Sequence, residues 1–220
     1  GVTLQVGLNY FNHPCIVALD EFMDSRGKSF VSMRSQRFNP GPFREDTSII
    51  EDLLPHDVSM ALRLFRAKPE SVHSISTKND AFVSITFDGG QNLLVNLAWK
   101  HPLKSREVTL VADGLMATFD ELAPSGRQLE IQEYEDKRLG DNLSTVSVLN
   151  RSNLGFSEFM VLPEIIDFRN QPLIANLHNM VQSIQEKVFE TNTALASIEI
   201  ARVLDASELS IESGERVWIK

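Results

Sequence analysis

Asp52 and His56 stand four residues apart in the stretch SIIEDLLPHDVSMALRLF. In a helix that spacing puts a carboxylate and an imidazole on one face. Histidine takes up and returns a proton near neutral pH, and a nearby carboxylate can orient the ring or bind a substrate hydroxyl. The pair therefore suits proton transfer at an alcohol or carbonyl carbon. A purely structural reading also stands. Asp52 as N-cap would put Pro55 in the first turn, where its missing N–H costs nothing, and His56 would bond a local carbonyl. Asp57 projects about 100° from His56 and reads as a first-turn charge favoured by the helix dipole.

Other polar residues are candidates for substrate contact. Lys100 and His101, with Lys104 and Arg106 close behind, follow Trp99 at a strand-to-strand connection. They could meet a hydroxylated or anionic ligand, or simply solvate a loop. Arg34 and Arg37 alternate with Met33 and Phe38 along a strand, and Arg37 is the candidate to face a cleft. His13 precedes a helix and could start it or line a domain boundary.

Several chemistries are disfavoured. The five histidines are scattered without a His-x-x-x-His pair, and Cys15 is the only cysteine. No metal site and no disulfide is expected. The sequence lacks the Gly-x-Ser-x-Gly elbow of hydrolases, the Gly-x-Gly-x-x-Gly loop and the Walker phosphate loop. A net charge of −9 discourages contact with a phosphate backbone, so no nucleic-acid partner is expected. No run approaches the roughly 18 apolar residues of a membrane span, and GVTLQVGLNY is not built like a signal peptide. A cytoplasmic location and no membrane contact are the expectations. Gly1 in place of Met is what a fragment or a cleaved chain would show.

These residues need a scaffold, and the periodicity supplies one. Val2 to Leu8 alternates like a half-buried strand. Pro14 to Arg26 reads as a helix with Pro14 in its first turn and Gly27 ending it. FVSMRSQRF reads as a strand, NPGP as a break, and Thr47 to Phe65 as the strongest helix. From Val72 to Glu135 the period shortens: VHSISTK, FVSITF, LLVNLAW, EVTLVA, LMATFDE and RQLEIQEY all have strand character. Asp88-Gly89-Gly90 and Asp113-Gly114 are hairpin turns. Residues 141–171 are irregular, with Phe156, Phe159 and Leu162 able to cover a site or a subunit contact. Helices over Leu173 to Phe189 and Thr193 to Leu209, then a short strand at Val217 to Ile219, close the chain.

The expected fold class is α+β: a large open, mostly antiparallel mixed sheet with helices packed on one face. In FVSITF, Val83, Ile85 and Phe87 share the more apolar face. The opposite face keeps large residues, which points to a homo-oligomer through the sheet.

In this order the segments resemble the C-terminal part of the glucose-fructose oxidoreductase, inositol dehydrogenase and MocA family. LQVGLNYFNHP looks like the last strand of that family's nucleotide-binding domain and the crossing into the next domain. EDLLPHDVSMAL looks like its Asp-x-x-x-His helix. FVSITFDGGQNLLVNLAWKHP and REVTLVADGLMATFDE look like its sheet hairpins, and ALASIEIARVLDASELSIESGERVWI like its C-terminal return. The resemblance implies that residues 1–10 end a dinucleotide-binding domain and that 11–220 form a substrate-binding and oligomerisation domain. It implies hydride transfer between NAD or NADP and a sugar, cyclitol or related polyol. His56 would be the general acid/base and Asp52 the orienting carboxylate. The Gly-rich loop and the Glu-Lys-Pro segment of such enzymes are not in this sequence. Hence no cofactor is expected on this chain alone, and the isolated chain is expected to be inactive. A non-catalytic binding or assembly module with the same fold is the alternative.

Overall fold

In the computed structural model the described residues are 4–41, 44–124, 127–133, 172–186 and 192–220. Along the chain run α1 (Pro14–Arg26), β1 (Phe30–Phe38), α2 (Ile49–Phe65), β2 (Pro69–Ser76), β3 (Asp80–Phe87), β4 (Asn92–Ala98), β5 (Ser105–Ala112), β6 (Leu115–Asp120), β7 (Leu129–Glu133), α3 (Pro172–Glu186), α4 (Asn192–Ser213) and β8 (Val217–Trp218). The strands make one sheet in the order β7-β6-β5-β1-β4-β3-β2-β8. β1 lies inside it, parallel to β4 and antiparallel to β5. The remaining neighbours are antiparallel, so the sheet consists of two meanders, β2-β3-β4 and β5-β6-β7, flanking β1. Gly90 (φ 83°) and Gly114 (φ 67°) supply the left-handed residues of two hairpin turns.

The expected α+β architecture is therefore present. One face of the sheet buries Val83, Ile85, Phe87, Leu93, Leu97, Val108, Leu110 and Phe119, and α2 and α4 pack on the sheet. α2 contributes Ile50, Leu54, Val58, Met60 and Ala61 to the same core. Burying each large apolar side chain is worth about 1.5–3 kcal/mol. The helix is thereby fixed against β1, β3 and β4, which matters because it carries the candidate chemistry.

Four local expectations are corrected. Residues 4–8 pair with no strand; Gln5 instead donates to the backbone oxygen of Asn176, and Val6 N–H points at Thr193 Oγ1. The N-cap of α2 is Ser48 and not Asp52. Ser48 Oγ accepts from Glu51 N–H and the Glu51 carboxylate accepts from Ser48 N–H, a full capping box. Pro55 consequently lies well inside one continuous helix, unable to bond the Glu51 carbonyl four residues back. Asp57 is no first-turn charge either: it sits deep in the core.

α3 differs in another way. Its apolar stripe, Leu173, Leu177, Val181 and Ile184, is exposed, and the residue it buries is Asn176. That amide receives a bond from Asn12 and gives one to Asn9, so polar pairing docks the helix. The expectations for 141–171 lie outside the described residues.

Candidate active site

The sheet face under α2 is apolar except at the Ser35–Arg37 end of β1. Arg37 is 2% exposed and Asp57 fully buried, and they pair through Nε–Oδ2 and Nη2–Oδ1 bonds of 3.1 Å each. Ser35 donates to Asp57 Oδ1 at 2.6 Å. Burial works against the charged guanidinium, but Asp57 and then Tyr10 more than offset it and hold Arg37 protonated. A two-pronged arginine–carboxylate pair, further bonded by a hydroxyl, is what a dry interior tolerates.

The network continues from Arg37. Its Nη1 donates to the Tyr10 hydroxyl at 3.0 Å, Arg106 Nη1 donates to the same oxygen at 3.1 Å, and that hydroxyl donates to Glu121. Arg106 also reaches Asn39 Oδ1 and Glu121. Burial pushes the Tyr10 phenol upward, with Arg37 opposing and Glu121 assisting, so it stays protonated.

His56 rests on this assembly. Its ring is 5.0 Å from the Tyr10 ring, centroid to centroid, at 55°. Burial lowers its proton affinity most, then Arg37; Asp57 opposes, Arg106 lowers it further, and Asp52 opposes more weakly. The imidazole is thus neutral at neutral pH, a proton acceptor in waiting. Among the described residues nothing hydrogen-bonds its ring nitrogens.

Asp52 is one turn away and 21% exposed. Its Oδ2 accepts from the Trp99 indole at 3.0 Å and its Oδ1 from Arg44 at 3.0 Å. A cavity of about 490 Å³ opens beside this rim, lined by Arg44, Ser48, Lys78, Asn79, Trp99 and Lys100 among others. His13 is also beside Tyr10, its ring 6.2 Å away and nearly parallel, and packs edge-on against Phe119. It is the N-cap of α1, Nδ1 accepting from Cys15 N–H, and burial pushes it down to about 4.

The candidates from sequence are thus distributed over two zones. Asp52 and His56 share one helix flank. Arg37 is beneath that helix, with its donors committed to Asp57 and Tyr10. Lys100 lines the rim cavity, whereas His101 packs on Phe38 at 4.4 Å and bonds its own loop through Leu103. Sequence reasoning missed Tyr10, Asp57, Arg106 and Glu121 as members of one network. One signal was available: Met33, Ser35 and Arg37 alternate onto one strand face, and an arginine sharing a face with Met33 needs a buried carboxylate. Asp57, inside the most apolar helix, is that carboxylate.

Among the described residues no cluster of His, Cys, Asp or Glu could hold a metal ion, and no helix is long and apolar enough to cross a membrane. Nor do they include a strand–helix–strand crossover of the dinucleotide-binding kind: the one parallel pair, β1 and β4, is linked through α2, β2 and β3.

No protein-family model and no curated protein matches this chain. Solved structures do. UDP-N-acetylglucosamine 3-dehydrogenase from Acidithiobacillus ferrooxidans superposes with a TM-score of 0.70 at 16% identity, over 96% of this chain and 62% of its own. An oxidoreductase domain protein from Kribbella flavida gives 0.75 at 15% identity, over 100% of this chain and 67% of its own. Levoglucosan dehydrogenase in complex with NADH and levoglucosan gives 0.73 at 14% identity, over 99% and 66%. The chain therefore spans about two thirds of the length of these proteins. At such identities the likeness is one of fold.

Proposed function

We propose that this chain is the substrate domain of an NAD(P)-dependent oxidoreductase of the glucose-fructose oxidoreductase, inositol dehydrogenase and MocA family, acting on a sugar, cyclitol or related polyol. The observation that carries the reading is His56: a half-buried, neutral imidazole, free of hydrogen bonds from the described residues, one turn beyond a partly exposed carboxylate. The solved structures named above share the fold, and two of them are sugar-acting dehydrogenases by name.

In this reading His56 takes the proton of a secondary hydroxyl as the carbon loses hydride, and Asp52 orients that hydroxyl or its neighbour. The reverse reaction returns the proton to the new alkoxide. Lys100, which lines the rim cavity, meets further hydroxyls, while His101 holds its loop against Phe38 and Arg37 supports His56 from below. A nicotinamide, bound mainly by a domain preceding residues 11–220, supplies the hydride chemistry.

Saturation-transfer NMR with a panel of hexoses, inositols and nucleotide sugars tests the binding half. Binding by the native chain that is lost in Asp52→Asn and His56→Gln is expected; an unaltered signal in both variants would remove the site assignment. Turnover with NAD⁺ or NADP⁺ is expected only when a nucleotide-binding domain is joined upstream or supplied in trans. A chain that binds none of the panel, and stays inactive with such a domain, fits the non-catalytic binding or assembly module instead.

A self-association role for the open sheet face belongs to the same proposal. Ile75, Phe82 and Leu94 are exposed there, around a shallow cavity of about 350 Å³ that also touches Arg34 and His73. A homo-oligomer, most simply a dimer, is expected in sedimentation. Phe82→Glu should dissociate it, and a native chain that remains monomeric at high micromolar concentration would remove the idea.

A further inference from the structure

Tyr10 belongs to a stretch with neither helix nor strand, between the unpaired residues 4–8 and α1, yet it is only 6% exposed. Its hydroxyl has one hydrogen to give and two lone pairs to fill, and all three are used: Glu121 accepts, while Arg37 and Arg106 donate. The partners come from β1, β5 and the residue following β6, so three separate pieces of the sheet fix one oxygen. The ring is also held at its face, with the Arg37 guanidinium carbon over it, 4.6 Å from the centroid. His56 has the opposite character, resting on that ring without a described hydrogen bond of its own.

We propose that Tyr10 is the positioning residue of the site: its ring is the wall that holds the His56 imidazole, and its triply bonded hydroxyl keeps the wall in place. The proposal rests on the reading of His56 as the proton acceptor and adds how that ring is aimed and kept dry. An imidazole without hydrogen bonds is oriented only by what it packs against. Its charged surroundings are Asp52 and Asp57 from its own helix, Arg37 from β1 and Arg106 from β5, with Glu121 beyond the Tyr10 hydroxyl. Those charges oppose one another in pairs, so the excluded water is the dominant influence on its protonation. The Tyr10 ring, 5.0 Å from the imidazole, is one wall of that exclusion.

NMR on the whole chain, without substrate or cofactor, decides the matter. In the native protein a nuclear Overhauser contact is expected between His56 imidazole protons and Tyr10 ring protons. The imidazole should titrate below its ordinary value of about 6.5. Tyr10→Phe keeps the ring but loses the hydroxyl's three bonds, so the midpoint should rise, and by less than in Tyr10→Leu. Tyr10→Leu, which removes the ring, should raise it by about half a unit or more.

Absence of the contact in the native protein would overturn the proposal. So would a folded Tyr10→Leu with an unchanged His56 midpoint, or a Tyr10→Phe shift as large as that of Tyr10→Leu. Should Tyr10→Leu fail to fold, absence of the native contact, or a contact and midpoint both unchanged in Tyr10→Phe, still overturns the proposal. Because no turnover is read, a failed dehydrogenase assay would count against the proposed reaction and leave this result standing.

Discussion

Asp52 and Asp57 occupy the same helix five residues apart, and the structure treats them oppositely. Asp57 is sealed under α2, with Arg37 on both oxygens and Ser35 on one. Asp52 sits on the rim, bonded to a half-exposed arginine and an indole. The buried pair is almost wholly shielded from solvent, and its work is to hold β1 and α2 in register. The rim carboxylate has partners that can yield, and lone pairs left for a hydroxyl. His56, between them, takes its low proton affinity mainly from the dry zone, and in the proposed reaction it would meet substrate from the wet one.

The comparison is broken most severely by emptying the buried side. Asp57→Ala leaves the Arg37 guanidinium unpaired, and denaturant unfolding should show a loss of about 3–5 kcal/mol. A loss below about 1 kcal/mol would mean that the pair is not sealed as described.

Acid should act next. His13 is neutral when folded, with a midpoint near 4 against about 6.5 unfolded, so the unfolded chain binds the extra proton between those values. Stability is then fully present above pH 6.5 and falls as the pH drops towards 4, by roughly 3 kcal/mol from His13 alone, with His56 adding in the same direction. His13→Asn puts a capping oxygen in place of Nδ1 and should flatten most of that limb in denaturation curves taken from pH 4 to 8. An unchanged slope would place the acid sensitivity elsewhere.

The rim should show the reverse profile. Asp52→Asn is expected to cost less than about 1 kcal/mol in stability, whereas polyol-dependent turnover of a chain joined to a cofactor domain falls by about 10²-fold or more. Equal turnover for the two would end the assignment of Asp52 to the site. Arg44→Gln should change stability by no more than about 0.5 kcal/mol, since its ion pairs are largely in water. A larger loss would show that Asp52 is held as firmly as Asp57.

The sequence made the sheet legible because alternation and glycine turns are local signals; each hairpin from Val72 to Glu133 follows from a few adjacent residues. The Asp52–His56 flank was legible for the same reason. The start of α2 was misjudged because two acidic residues and a serine compete as caps, and the winner depends on Glu51 reaching back to Ser48. Tyr10, Arg106 and Glu121 stayed hidden because their meeting is set by strand order, with Tyr10 and Glu121 separated by 111 positions in sequence. The exposed stripe on α3 shows the complementary failure: helical periodicity names an apolar face but not what, if anything, covers it.

The place of β1 in the sheet has a consequence for the order of events during folding. The earliest strand of this sheet along the chain is bordered on both sides by strands that come much later, since Ser32 pairs with Asn92 and with Val111. Each meander can close locally and quickly, but β1 must wait for both, and such long loops slow the search. Arg37 and Ser35 ride on that waiting strand, so the chain would complete its charged interior last, after both hairpin units have docked. In a pulse-labelling refolding experiment the β1 amides should gain protection after those of β3 and β6. During synthesis the arginine would stay in water until the strand ending at Ala112 has emerged, which spares the nascent chain a buried charge without its partner.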